Sequence, residues 1–292
     1  MSSSDFHGTF TALITPFLAD ESVDFASLEK MIEDQIAAGI TGLVMVGTTG
    51  ESPTLTWDEH QTVVKFAVDT AKGRTKIIAG TGSNATHEAV EHSQIAEKNG
   101  VDALLVVSPY YNKPTQQGLF EYFSTVCQSV SIPVIVYNIP GRCGVNVETT
   151  TLLRIAQANK NCVGVKEASG NIDQMMEVIR TMPKSFTVLS GEEYLTFPLM
   201  ALGGHGVISV LSNALPVEVK KMVDTALAGN FVLARDQHFA LLSQMKACFI
   251  ETNPLPIKTL LSAMGKCQEV FRSPLCKMGE GNKKNLLEAF GK

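Results

Sequence analysis

The sequence predicts an α/β fold, a (β/α)8 TIM barrel with a C-terminal helical extension, and three observations carry that prediction. Short apolar runs alternate with amphipathic stretches at fairly even spacing. The apolar runs are nearly continuous and do not alternate with polar residues, which is the pattern of strands covered on both faces. No G-x-G-x-x-G follows the first strand, so the closed barrel stands ahead of an open doubly wound sheet. At 292 residues the chain is long enough for one such barrel and an extension.

In chain order the apolar runs predict strands over 11–15, 42–47, 76–81, 102–108, 133–138, 162–166, 186–191 and 206–210. The helices between them have recognisable ends. Over 24–39, Phe25, Leu28, Met31, Ile32 and Ile36 share one face and the helix stops at Gly39. Thr56 and Glu59 form a capping box at the start of 56–73, which stops at Gly73. The stretch 86–100 closes at Gly100, and 115–130, 147–159 and 171–182 continue the rhythm. After Val210 the strand signal fades and the remainder reads as helical. The division expected is a barrel over 1–226 and a helical extension over 227–292.

Composition narrows the function. The chain is 45% hydrophobic and 18% charged, as an ordinary globular protein is. A net charge of -5 gives no basic footprint for nucleic acid. No apolar run reaches the length of a membrane span, and the N-terminus lacks the charged start and apolar core of a signal peptide. Six scattered cysteines form no CxxC pair and no zinc spacing, so free thiols in a reducing cytoplasm are expected.

Chemistry in a barrel of this kind sits where the strands run out. Here the runs end in Thr48 and Thr49, in Ser108 to Tyr111, in Tyr137 to Arg142, in Lys166 and Glu167, and in Ser190 and Gly191. Lys166 alone has a bland reading, a strand end whose amine reaches water. On a rim that also carries tyrosines, a threonine pair and an arginine, it becomes a candidate nucleophile. "GTTGES" (47–52) reads either as a tight βα turn or as an anion-binding turn, but lacks the GK[ST] ending of a phosphate loop. Arg142 reads either as a surface ion pair or as a guanidinium fork for a substrate carboxylate. His205 is read as a turn residue with a structural hydrogen bond.

"GTTGES", "SPYYNKP", "YNIPGR", "GVKEASG" and "GGHGVIS" occur in the order found in the dihydrodipicolinate synthase family. The resemblance runs from about Gly8 through the barrel and more weakly into the tail. N-acetylneuraminate lyase and 2-keto-3-deoxygluconate aldolase share the barrel and its lysine. An arginine in the "PGR" turn marks the synthase branch, and Arg142 occupies that place.

The resemblance implies the following roles. Lys166 forms an imine with pyruvate, and desolvation at the barrel rim favours the neutral amine this needs. Tyr137 moves the protons, relayed through Thr48 to a Tyr111 supplied by a neighbouring subunit, in a homotetramer built as a dimer of dimers. Thr49 holds the pyruvate carboxylate, with Gly191 and the backbone at Ile208 lining the pocket. The enamine then attacks L-aspartate 4-semialdehyde, whose carboxylate Arg142 clamps. No metal or cofactor is implied. Family members also bind L-lysine, a feedback inhibitor, at positions matching Ser52, Pro53, Trp57, His60, Asn84, Glu88 and Tyr110. Position 53 is Pro where the common bacterial pattern has Ala, and 57 is Trp where it has His. The bland alternative places Glu88 on a solvated helix that Asn84 caps. Rival readings are a sister aldolase, a pyridoxal-phosphate barrel enzyme and a catalytically silent barrel acting as a sensor.

Overall fold

The computed structural model describes residues 6–292. Residues 1–5, the start of the stretch predicted to carry no signal peptide, lie outside the described residues. Eight parallel strands close into a barrel in sequence order: β1 (Gly8–Ala12), β2 (Gly42–Met45), β3 (Lys76–Gly80), β4 (Ala103–Val107), β5 (Val134–Asn138), β6 (Cys162–Glu167), β7 (Thr187–Ser190) and β8 (Gly206–Ser209). Around it lie α1 (Phe25–Ala37), α2 (Trp57–Ala71), α3 (Thr86–Lys98), α4 (Gln116–Gln128), the short α5 (Pro140–Cys143), α6 (Thr149–Ala158), α7 (Ile172–Thr181), α8 (Thr196–Ala201) and α9 (Pro216–Leu227). Three further helices follow, α10 (Phe231–Ala247), α11 (Leu255–Ala263) and α12 (Glu280–Ala289).

The continuous apolar runs have a direct physical cause. Successive side chains of a strand point to opposite faces, and both faces of a barrel strand are covered. Outward residues such as Val134, Val136, Val165, Val188 and Val207 pack under the helices. Inward residues, including Phe10, Val44, Ile78, Leu105, Ile135, Leu189 and Ile208, fill the barrel interior. α9 packs on β1 and completes the ring, and α10 then packs on α9 and α12.

The capping box stands as expected, with Thr56 accepting from the Glu59 N–H and Glu59 accepting from the Thr56 N–H. Gly39 and Gly73 both take positive φ just beyond their helices, as terminating glycines do. Two expectations are corrected. The first strand lies at Gly8–Ala12, three residues before the stretch read from the sequence. Beyond Ala12 the pairing runs out: the Leu13 N–H still donates to the Val44 carbonyl of β2, and Asn213 then takes the neighbouring groups, accepting from the Ile14 N–H and donating to the Ala12 carbonyl. Asn84 does not cap α3: the residue at that position is Ala85, which makes no side-chain cap. The Asn84 carbonyl instead accepts from Asn112 Nδ2.

The tail is tied to the barrel by charge. Arg272 clamps Glu59 through both guanidinium nitrogens and also donates to the Thr54 and Glu21 carbonyls. That guanidinium, helped by the Thr56 N–H, holds the Glu59 carboxyl down at about 2, against an ordinary 4.5. A depressed carboxylate contributes stability above its unfolded pKa and loses it as pH falls through the folded one. The stability difference between the wild type and Glu59→Gln is therefore expected to be full above about pH 5 and to shrink steadily towards about pH 2. Thermal melts of both proteins across that range check it; a difference that stays constant with pH contradicts it.

Candidate active site

β6 explains why a lysine can stand at the end of an apolar strand. Alternation sends its two charged neighbours to opposite sides. Glu167 turns outward into a buried polar cluster, accepting from Asn138 Nδ2, Gln174 Nε2 and the Ser169 N–H. Lys166 turns inward and is only 6% exposed. The reading in which its amine simply reaches water is therefore corrected. Register pairs Lys166 with Tyr137 on β5 and with Leu189 on β7. Its Nζ lies 4.2 Å from the centroid of the Tyr137 ring, within the range of an attractive cation–π contact. Gly191 makes room for it: a Cβ there would lie 2.9 Å from Lys166 Cε and 2.6 Å from Ala168 Cβ.

The "GTTGES" turn follows β2. Thr49 is buried and its Oγ1 accepts from Asn253 Nδ2 at 3.0 Å. Glu51 takes a left-handed backbone conformation, φ 56°, and its buried carboxylate meets the fully buried Lys258 ammonium of α11. Burial pushes the Lys258 amine down, against the opposing pull of Glu51. Arg142, in the turn after β5, donates through Nη2 to the Asn253 carbonyl at 3.0 Å. One tail residue, Asn253, therefore bridges the threonine turn and the arginine turn, and its own Oδ1 is buried without a partner. Glu192 follows Gly191; burial raises its carboxyl above the usual range, while the Lys166 charge pulls it back.

A cavity of about 430 Å³ opens beside these residues. Thr48, Tyr137 and Arg142 line one part of it; Ser52, Pro53, Trp57, His60, Glu88 and Tyr110 line another. Lys166, Thr49, Gly191, Ile208 and Asn84 do not belong to that lining. Lys166 Nζ lies against the Tyr137 ring, and Ile208 lies in the barrel interior. Tyr111 is 90% exposed, with φ 74°, and is not part of the cavity lining. Glu88 is half-buried and accepts from Ser83 Oγ, so its helix face is not simply solvated. His205 lies at the opposite end of the barrel, where its Nδ1 accepts from the Val188 N–H at 3.0 Å. Reading the sequence missed Asn253, Lys258, Glu192 and His92. Asn253 and Lys258 act more than 200 residues away from their partners, and no local pattern announces that.

Among the described residues, no group of three or more His, Cys, Asp or Glu side chains could hold a metal ion. All six cysteines are free. No helix among the described residues is long and apolar enough to cross a membrane.

Comparison with known proteins places this geometry in context. The model of the dihydrodipicolinate synthetase family matches residues 5–290. The 4-hydroxy-tetrahydrodipicolinate synthase of Aquifex aeolicus is 48% identical over 287 residues, 98% of this chain and 97% of that protein. A crystal structure of dihydrodipicolinate synthase from the same organism superposes with a TM-score of 0.97, covering 98% of this chain and 97% of the other. Two more distant structures were solved with ligands. The Acinetobacter baumannii enzyme, complexed with pyruvate, is 38% identical with a TM-score of 0.96, and covers 98% of each chain. The Cyanidioschyzon merolae enzyme, with lysine bound, is 36% identical with a TM-score of 0.95, covering 98% and 97%.

Proposed function

The chain belongs to the dihydrodipicolinate synthetase family, and from that premise we propose that Lys166 carries the 4-hydroxy-tetrahydrodipicolinate synthase reaction, the condensation of pyruvate with L-aspartate 4-semialdehyde. The observation that carries this reading is the inward Lys166, covered by Tyr137 and given space by Gly191.

The neutral Lys166 amine attacks C2 of pyruvate, and loss of water from the carbinolamine leaves an imine. The hydroxyl of Tyr137, whose ring the amine faces, delivers and removes the protons that this exchange needs. Thr48 lines the cavity with Tyr137 and is suited to pass those protons on. Tyr111 completes the relay from a neighbouring subunit; its nearly full exposure supports that role, and with it a homo-oligomer arranged as a dimer of dimers. Thr49 Oγ1, oriented by Asn253, receives the pyruvate carboxylate together with N–H groups of the turn. Gly191 and the backbone at Ile208 bound the same space.

Loss of a proton from the pyruvyl methyl group gives an enamine, whose carbon attacks the aldehyde. Arg142, held by the Asn253 carbonyl, keeps free guanidinium N–H groups for the carboxylate of the aldehyde substrate. Attack of the substrate amine on the imine carbon closes the ring and releases Lys166. We also propose that L-lysine inhibits the enzyme from the part of the cavity lined by Ser52, Trp57, His60, Glu88 and Tyr110, with Asn84 at its edge. The lysine-bound Cyanidioschyzon merolae relative supports that reading.

The test is pyruvate consumption with L-aspartate 4-semialdehyde as the only aldehyde. Wild type is expected to turn over. Arg142→Ala is expected to raise KM for the aldehyde by about tenfold or more, with KM for pyruvate nearly unchanged. Turnover with sugar-derived aldehydes and none with L-aspartate 4-semialdehyde would overturn the substrate assignment.

A further inference from the structure

Away from Lys166 the cavity wall carries three rings in one column. Trp57 and His60 are three residues apart on α2 and share a face; Glu88 and His92 are four apart on α3 and share another. The Trp57 and His92 ring centroids lie 3.5 Å apart. Those of His92 and His60 lie 5.0 Å apart and are nearly parallel, at 16°. His60 is anchored, its Nε2–H donating to the Gly80 carbonyl at 3.0 Å. His92 is engaged on one side by a backbone hydrogen bond at Thr81, while its Nε2 is buried and has no partner.

That arrangement fixes the chemistry of the wall. Burial, reinforced by the neighbouring His60, pushes the His92 imidazole down to about 4. Burial lowers His60 as well. Both rings are thus neutral near pH 7, and the Thr81 bond leaves Nε2 of His92 as a bare acceptor. A carboxylate at Glu88, aromatic faces and an unused acceptor are three features that suit an ammonium group. The Trp57 ring lines the same cavity and lies directly against the His92 ring. Trp57 is the first residue of α2, is 42% exposed, and is the only tryptophan of the chain.

We propose that His92 is a ligand-contacting residue of this cavity, its Nε2 accepting from an ammonium group of a bound diamino acid, and that Trp57 is the cover which the ligand displaces. The inference rests on the inhibitor reading of the cavity given above. It adds a residue that the family pattern does not include and a movement that the single tryptophan reports. An unpaired buried acceptor is costly, so a ligand that satisfies it gains affinity without any new charge on the protein.

The experiment uses the full chain and L-lysine, followed by tryptophan emission and by calorimetry in parallel. In the wild type, Trp57 emission is expected to change saturably, with the midpoint that calorimetry gives. His92→Leu keeps the bulk and removes the acceptor; its affinity for L-lysine is expected to fall about tenfold or more. His92→Asn, which restores an acceptor, is expected to recover part of that loss and serves as control if the leucine variant melts early. Equal affinity in His92→Leu and wild type, within twofold, overturns the His92 contact. Calorimetric binding with no change in emission overturns the Trp57 cover. No binding of L-lysine to the wild type overturns the inhibitor reading itself, a result distinct from both.

Discussion

Lys166→Ala is expected to abolish pyruvate consumption, with a loss in kcat/KM of at least about a thousandfold, since the proposed mechanism has no other group to supply the covalent step. Lys166→Arg is expected to fail as completely. A guanidinium keeps charge and length but has no lone pair to form an imine. The two substitutions together separate nucleophile from charge: a role in electrostatic binding alone would leave the arginine variant partly active. Neither should unfold the barrel. Lys166 is held by a ring contact with Tyr137 and not by a buried ion pair, so melting temperatures within a few degrees of wild type are expected. Steady-state assays of the two variants against wild type, with circular dichroism as the folding control, check both halves of the expectation.

Lys258→Ala has the largest expected effect on stability. It strands the Glu51 carboxylate, which is fully buried and whose ammonium partner would be gone. Breaking a buried pair from one side costs about 3–5 kcal/mol, most of it the desolvated charge left behind. For a chain of this size that lowers the melting temperature by on the order of 10 °C. Glu51→Gln combined with Lys258→Met removes both charges and should recover most of the loss, since an apolar replacement of a buried pair is often near neutral. The pair matters beyond stability because Glu51 lies two and three residues from Thr49 and Thr48. A Lys258→Ala protein that melts as the wild type does would show that the pair does not anchor the turn.

The barrel was legible because its signals are local and repeated. Glycine-terminated helices, a capping box at Thr56 and continuous apolar strands each depend on a few neighbouring residues. The eight strands close in sequence order as expected from that rhythm. The misplaced first strand shows the limit. Leu13 and Ile14 are as apolar as any strand residue, but after the Leu13 N–H bonds to Val44 it is Asn213, some 200 residues on, that takes the Ile14 N–H and the Ala12 carbonyl in place of a ladder. The alternative in which Asn84 caps α3 fails because the cap position falls one residue later, at Ala85.

The strand-end residues at 48, 49, 137, 142 and 166 were legible as candidates, because a parallel barrel gathers the C-terminal ends of its strands on one rim. What they would do came from the family resemblance, not from spacing. The contacts that orient them were not legible. Asn253 joins the Thr49 and Arg142 turns from the helical tail, and Lys258 reaches Glu51 from the same region. Both rest on tertiary packing that brings a distant segment over the barrel mouth. His92 was hidden differently. As one polar residue on an amphipathic helix it carries no signal until Trp57 and His60 are seen against it.

The central claim is an imine between pyruvate and Lys166, and borohydride reduction in the presence of pyruvate alone tests it most directly. Peptide mass analysis of the wild type is expected to find Lys166 heavier by pyruvic acid less one oxygen, the mass of the reduced adduct, with Lys166→Arg unmodified. An unmodified Lys166 in active wild-type enzyme, or an adduct on a different lysine, would contradict the account.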